Sequence, residues 1–180
     1  MQAISRNDTH YDSRTIWFHW LTVILIVGQW IGAKTIDMWP AGALRVDARS
    51  AHMTLGVIIG LLVLARIAWR VTGGRRLPSA DRGILALLAK AMHWGLYLLV
   101  LGTVSLGLTM IALRGANYFN FVMVPGFIDA TRETSRAVHS YHELAGTAIL
   151  IAAALHAAAA LIHQYVMRDG VLARMIPGLW

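Results

Sequence analysis

HELAGTAILIAAALH, residues 142–156, is the stretch that decides how this chain is built. Between His142 and His156 lie thirteen residues, of which only Glu143 is charged. A helix turns ~100° per residue, so positions fourteen apart fall within about 40° of each other and both imidazoles share a face. At a rise of ~1.5 Å per residue they stand about 21 Å apart along the axis, much of a ~30 Å hydrocarbon core. One membrane helix thus offers an imidazole to each of two stacked sites.

The rest of the chain fits that setting. Of its 180 residues 57% are hydrophobic and 14% charged, against about 25% charged in soluble domains. Four apolar runs, at about 15–34, 50–71, 87–113 and 138–167, each hold the ~20 residues that a spanning helix needs. The fourth extends upstream as an amphipathic turn through Arg132, Glu133 and Arg136. None of the runs shows the alternation of a barrel strand. The expectation is an all-α, integral membrane four-helix bundle, a single domain over residues 1–180. The first run, from Ile16 to about Ala33, lacks an A-x-A cleavage site and is expected to be retained.

The net charge is +7, but the basic residues lie between and beside apolar runs. They form no continuous face of the kind that binds nucleic acid, which is excluded as a partner; the lipid bilayer is the expected one. Four spans put both termini on one side with the loop between the second and third. That side carries Arg6, Arg14, Arg70, Arg75, Arg76, Arg82, Lys90, Arg168 and Arg174. The other carries Lys34, Arg45, Arg49, Arg114, Arg132 and Arg136. The compact cluster from Arg70 to Lys90 decides the orientation, with both termini cytoplasmic in a bacterial inner membrane. Most of the Trp and Tyr residues, among them Trp17, Trp20, Trp39, Trp69, Trp94 and Tyr165, fall at run ends as interfacial anchors do.

There are no cysteines. Disulfides, iron–sulfur clusters, thiol catalysis and covalent haem attachment are therefore excluded, and any metal must be held by His, Met or carboxylate. His142-Glu143 is not followed by the second histidine of an HExxH site, and the short ligand spacing of structural zinc is not completed. Depth along the helices pairs the remaining histidines. His52 opens the second run on the side of His142, and His19, in Trp17-Phe18-His19-Trp20, lies at the level of His156. Two bis-histidine sites, each drawn from two helices, are what two haems need.

The other histidines leave alternatives. His93, at the start of the third run, rivals His19 or His156. His139, one turn before His142, is a substitute for it. His163 follows His156 by seven residues on nearly the same face and suits a quinone-site or propionate-side group. His10 lies in a polar tail and is expected to be solvated. Arg66, fourteen residues after His52, either pairs with a haem propionate or snorkels to the interface. Gly56 and Gly60 form GxxxG; these and the other small residues either permit close helix packing or clear room for a macrocycle.

With these residues in place the chain resembles the bacterial cytochrome b561 family. The resemblance is carried by Trp17-Phe18-His19-Trp20, by Ala51-His52-Met53 with Gly56 and Arg66, and by Met92-His93-Trp94 with Tyr97. Its most specific parts are Tyr141-His142-Glu143, Leu155-His156 running to His163, and Arg174-Met175-Ile176-Pro177. It implies two b-type haems, one ligated by His19 and His156 and the other by His52 and His142. It further implies a superoxide oxidase activity that takes electrons from periplasmic superoxide and reduces ubiquinone, with His163 near the quinone. Relatives that serve as cytochrome b subunits of hydrogenases or formate dehydrogenases imply the alternative, an electron relay for a periplasmic dehydrogenase. The apolar loop Asn117–Phe127 would then be the docking surface.

Overall fold

The structure, a computed structural model, describes residues 10–178; Arg6 lies outside them. Four helices, α1 (Ser13–Thr35), α2 (Ala43–Thr72), α3 (Gly83–Arg114) and α4 (Arg132–Ile162), make up most of the chain. Each belongs to a segment long and apolar enough to cross a membrane. The protein is an all-α, integral membrane four-helix bundle.

Local chemistry sets where the helices begin and end. Asp12 is extended, and its Oδ1 accepts from the Thr15 amide at 3.0 Å, satisfying an orphan donor of the first turn of α1. Thr131 does the same for the Thr134 amide at 3.1 Å, which places the start of α4 at Arg132. The second helix begins at Ala43, well upstream of the apolar run at Ser50, after Gly42 turns the chain at φ 116°. Polar sequence can prolong a helix beyond the hydrocarbon because the backbone bonds are made internally wherever the side chains point. The apolar run therefore marks the membrane layer, while caps and turns mark the helix.

α3 ends at Gly115, whose φ of 71° an L side chain rarely adopts and whose Cβ would run into the Val124 carbonyl. A hairpin follows, β1 (Ala116–Tyr118) paired antiparallel with β2 (Val122–Val124). It turns through Phe119 and Asn120 at φ 50° and 59°, the positive pair that suits strand twist. It is pinned to α2 by Ser50, which is fully buried and bonds to the Asn117 carbonyl and the Phe119 amide, and by Tyr118 on Thr54.

The closest helix packing is between α3 and α4 and between α1 and α2, followed by α2 with α3. An apolar layer of Ile59, Val63, Tyr97, Val100 and Ile149 joins the pairs. Ile59 is seven residues from both His52 and Arg66, and Ile149 is seven from both His142 and His156. The layer thus sits midway between the two histidine levels. Outward side chains such as Leu61, Leu98, Ile151 and Leu155 are exposed, as lipid-facing groups must be. Within the bundle, a Cβ on Gly60 would meet Val104 at 3.1 Å, so this glycine serves close packing.

Polar contacts close the end that carries both termini. Asp12 also accepts from the Trp69 indole at 3.1 Å and the Arg75 amide at 3.0 Å, and Arg14 stacks 4.9 Å over Trp69. His10 is not solvated as expected: its Nδ1 donates to the Ala173 carbonyl at 2.8 Å, and Trp20 donates to Met175 at 3.0 Å. The carboxy-terminal segment folds back over the start of α1 and recruits the tail.

Partial burial opposes the charge on Asp12, but the bonds from Thr15, Arg75 and Trp69 outweigh it and hold the carboxyl down to about 2. A depressed value means that stability is present above the ordinary carboxylate range, about 4, and is lost as pH falls toward 2. Asp12→Ala should cost about 1–2 kcal/mol at neutral pH, read as a lower unfolding temperature of the detergent-solubilised protein. The gap to wild type should close between about pH 4 and pH 2.

Candidate functional site

The bundle brings imidazoles from different helices together at two levels. His52 of α2 and His142 of α4 have ring centroids 6.0 Å apart at an interplanar angle of 75°. His19 of α1 and His156 of α4 are 6.3 Å apart at 67°. A metal–imidazole bond is ~2.0 Å, so two rings gripping one ion from opposite sides have centroids about 6.3 Å apart. Both separations match that figure. His93 of α3 lies 5.1 Å from His156, too close for an ion between them, and stands instead beside the His19–His156 level.

The helices that present the facing rings are not the ones that pack closely. Neither α1 with α4 nor α2 with α4 is among the close helix pairs, so the imidazoles reach across a gap. Two details fit a flat metal-bearing group there. The buried Nδ1 of His52 has no hydrogen-bond partner among the described residues, and buried polar atoms rarely go unsatisfied. Gly146, half-buried one turn after His142, has nothing within 4 Å of where a Cβ would stand.

His142 is the best-oriented of the four. Its Nδ1 donates to the Thr103 carbonyl at 2.9 Å, which fixes the tautomer and leaves Nε2 as the free ligand atom. Gly107, one turn further along α3, makes room for the ring: a Cβ there would come within 3.2 Å of His142 Cε1. On α2, the His52 carbonyl accepts from Gln29 of α1 at 2.7 Å. The Thr103 carbonyl carried no signal in the sequence, because every residue has one, and Gly107 was only one of several small residues that could serve packing or a macrocycle.

Arg66 points inward, its Nη2 3.0 Å from His19 Nδ1 and its guanidinium 5.5 Å from the centre of the Tyr97 ring. A guanidinium can only donate, so Nδ1 accepts and the neutral ring carries its proton on Nε2. For Nε2 to take a metal, Arg66 must release Nδ1, and its charge then becomes available to an anionic group at that level. Interfacial snorkelling is not what the side chain does here.

His163 opens a π-helical turn, His163–Met167, that ends at Arg168 in the left-handed region. Its Nδ1 donates to Asp169 at 2.6 Å, and its Nε2 lies 3.6 Å from Asp81 of the α2–α3 connection. Partial burial raises the Asp169 carboxyl, but its bonds to His163 and the Val171 amide outweigh this and leave it below the ordinary range. An imidazole between two carboxylates can hold a proton and pass it on. Residues 81 and 169 are too far apart in sequence for spacing to have linked them. His139 faces its own helix, 3.7 Å from Glu143.

An apolar four-helix bundle whose imidazoles meet between helices belongs to the membrane-bound b-type cytochromes. The chain is a member of the prokaryotic cytochrome b561 family, whose model matches residues 10–178. Membership brings haem b and transmembrane electron transfer. A Yersinia pestis protein named "Probable superoxide oxidase CybB" is 28% identical over 170 residues, covering 93% of this chain and 96% of that protein. Cytochrome b561 homolog 1 of Escherichia coli K12 is 25% identical, covering 93% and 97%. Cytochrome b562 of Cereibacter sphaeroides is 28% identical, covering 92% and 94%.

Gly107→Val should push the His142 ring off the Thr103 carbonyl and weaken the visible b-type spectrum of the purified protein. Gly102→Val, at an exposed position away from the inter-helix gap with nothing within 4 Å, should leave that spectrum unchanged.

Proposed function

We propose that this protein is a di-haem superoxide:ubiquinone oxidoreductase of the bacterial inner membrane, with both termini in the cytoplasm. The observation that carries the reading is the pair of facing imidazole sets, 6.0 and 6.3 Å between centroids, at two levels of one bundle. His52 and His142 would hold the periplasmic-side haem and His19 and His156 the cytoplasmic-side one. Two b-type haems so held supply one-electron transfer between the two faces.

The chain's own residues divide the remaining work. The Thr103 carbonyl orients His142, and Arg66, once off His19 Nδ1, is placed to neutralise a propionate. Two superoxide anions give two electrons and two molecules of dioxygen, and ubiquinone takes those electrons with two protons. His163, bonded to Asp169 and close to Asp81, is positioned to hold one such proton at its ring nitrogen. On the periplasmic side basic residues outnumber acidic ones, which favours approach of an anion. Arg45 and Arg49 contribute less to this attraction, since both reach Asp37, at 3.9 and 3.4 Å. The name of the Yersinia pestis relative supports the choice of donor.

A second reading, an electron-relay subunit for a periplasmic dehydrogenase, is favoured by the hairpin region. Phe121, Met123 and Phe127 are 90%, 73% and 76% exposed at that end of the bundle, an apolar surface of the kind that partners cover. Recovery of the protein in a stable complex with a dehydrogenase subunit, and inactivity when isolated, would favour it.

Stopped-flow mixing of the oxidised protein with superoxide should reduce the haems, and added ubiquinone should reoxidise them; no absorbance change rules the donor out. The haem-to-protein ratio should be two. His142→Ala should lower it to one, and His93→Ala should leave it at two. If His93→Ala loses a haem, the cytoplasmic-side pairing is wrong.

A further inference from the structure

At the end of the bundle away from the termini, the last residue of α3 and the first turns of α4 border an open depression of about 250 Å³. Its lining is Arg114, Ala130, Arg132, Ser135 and Arg136. Among the described residues none of these three arginines has a carboxylate within ion-pair distance. Asp129 and Glu133 are neighbours in sequence but do not line the depression. This contrasts with Arg45 and Arg49 at the same end, both of which reach Asp37.

Ser135 is an independent observation. It is only 9% exposed, it lines the depression, and its hydroxyl has no hydrogen-bond partner among the described residues. Ser50 and Ser105 donate back to the carbonyl four residues earlier, whereas Ser140, like Ser135, does not.

Three like charges gathered around one space repel, and the amino-terminal end of α4 adds positive potential of the same sign. The Ser135 hydroxyl is open to the depression and free to donate there. One anion relieves the repulsion and accepts that bond. Guanidinium forks grip oxyanions through paired N–H···O bonds. The depression is open and has room for a tetrahedral oxyanion with its remaining waters.

We infer that Arg114, Arg132, Arg136 and Ser135 form a binding site for a phosphate-class oxyanion, carried by free phosphate or by the headgroup of an anionic phospholipid. The site lies where two membrane-spanning helices meet the interface, within reach of both sources. The inference goes beyond the proposed oxidase reading and does not rest on it, because binding is read without electron transfer.

The test titrates inorganic phosphate into the haem-loaded protein in uncharged detergent, followed by calorimetry. Saturable binding of one phosphate is expected. It should weaken at least tenfold in Arg114→Gln/Arg136→Gln, a few-fold in Ser135→Ala, and not at all in the Asp37-paired control Arg45→Gln/Arg49→Gln. An unchanged visible spectrum certifies that each variant is folded. In a second arm the protein is reconstituted in phosphatidylcholine nanodiscs containing some phosphatidylglycerol and re-extracted. Retention of phosphatidylglycerol by wild type and its loss from Arg114→Gln/Arg136→Gln identifies a headgroup, and phosphate binding without lipid retention identifies the free anion. If wild type neither binds phosphate nor retains the lipid, or the control loses as much as the pocket variant, the inference is overturned.

Discussion

Imidazole inside a hydrocarbon-facing bundle needs a partner, and in this protein that need organises the structure. Four ring-bearing positions on three helices meet two by two, at separations suited to a shared ion. The helices that carry the facing rings do not pack closely against each other. Instead α1 packs on α2 and α3 on α4, and a thin apolar layer around Val63 and Ile149 fastens the two halves. A uniformly tight bundle would be stabler as a protein but would have no room between its histidines. The gap is a structural requirement of the proposed cofactors, and the packing is arranged around it.

The two ends of the bundle solve their electrostatics differently. At the end with the termini, the polar groups are tied by hydrogen bonds. Asp12 collects three donors besides its own cap, Asp169 bonds to His163, and Arg174 donates to the Pro78 carbonyl at 2.7 Å. That network ties the tail, the α2–α3 connection and the carboxy-terminal segment into one cap. At the other end the hairpin is pinned by Ser50 and Tyr118, yet Arg114, Arg132 and Arg136 are left facing a common depression. The end with the termini is closed by these bonds, whereas the other presents an open cationic depression.

Much of this was legible in one dimension. Apolar run length signals a membrane helix because the hydrocarbon has a fixed thickness. Helical pitch puts His142, Ile149, His156 and His163 on one face, because angles within a helix depend on nothing outside it. Other features were invisible for identifiable reasons. The strands Ala116–Tyr118 and Val122–Val124 are too short to show a period, the Thr103 carbonyl has no residue signature, and the contacts of His10 with Ala173 and of His163 with Asp81 join segments far apart in sequence.

What the chain determined by itself was the number and type of helices and the face each histidine occupies, since these follow from local repeat and bilayer thickness. What only the tertiary structure decided was which imidazoles come together, with His93 5.1 Å from His156, and which arginines reach a carboxylate. Such outcomes depend on distances between elements, and those are set by packing rather than by any periodicity along the chain.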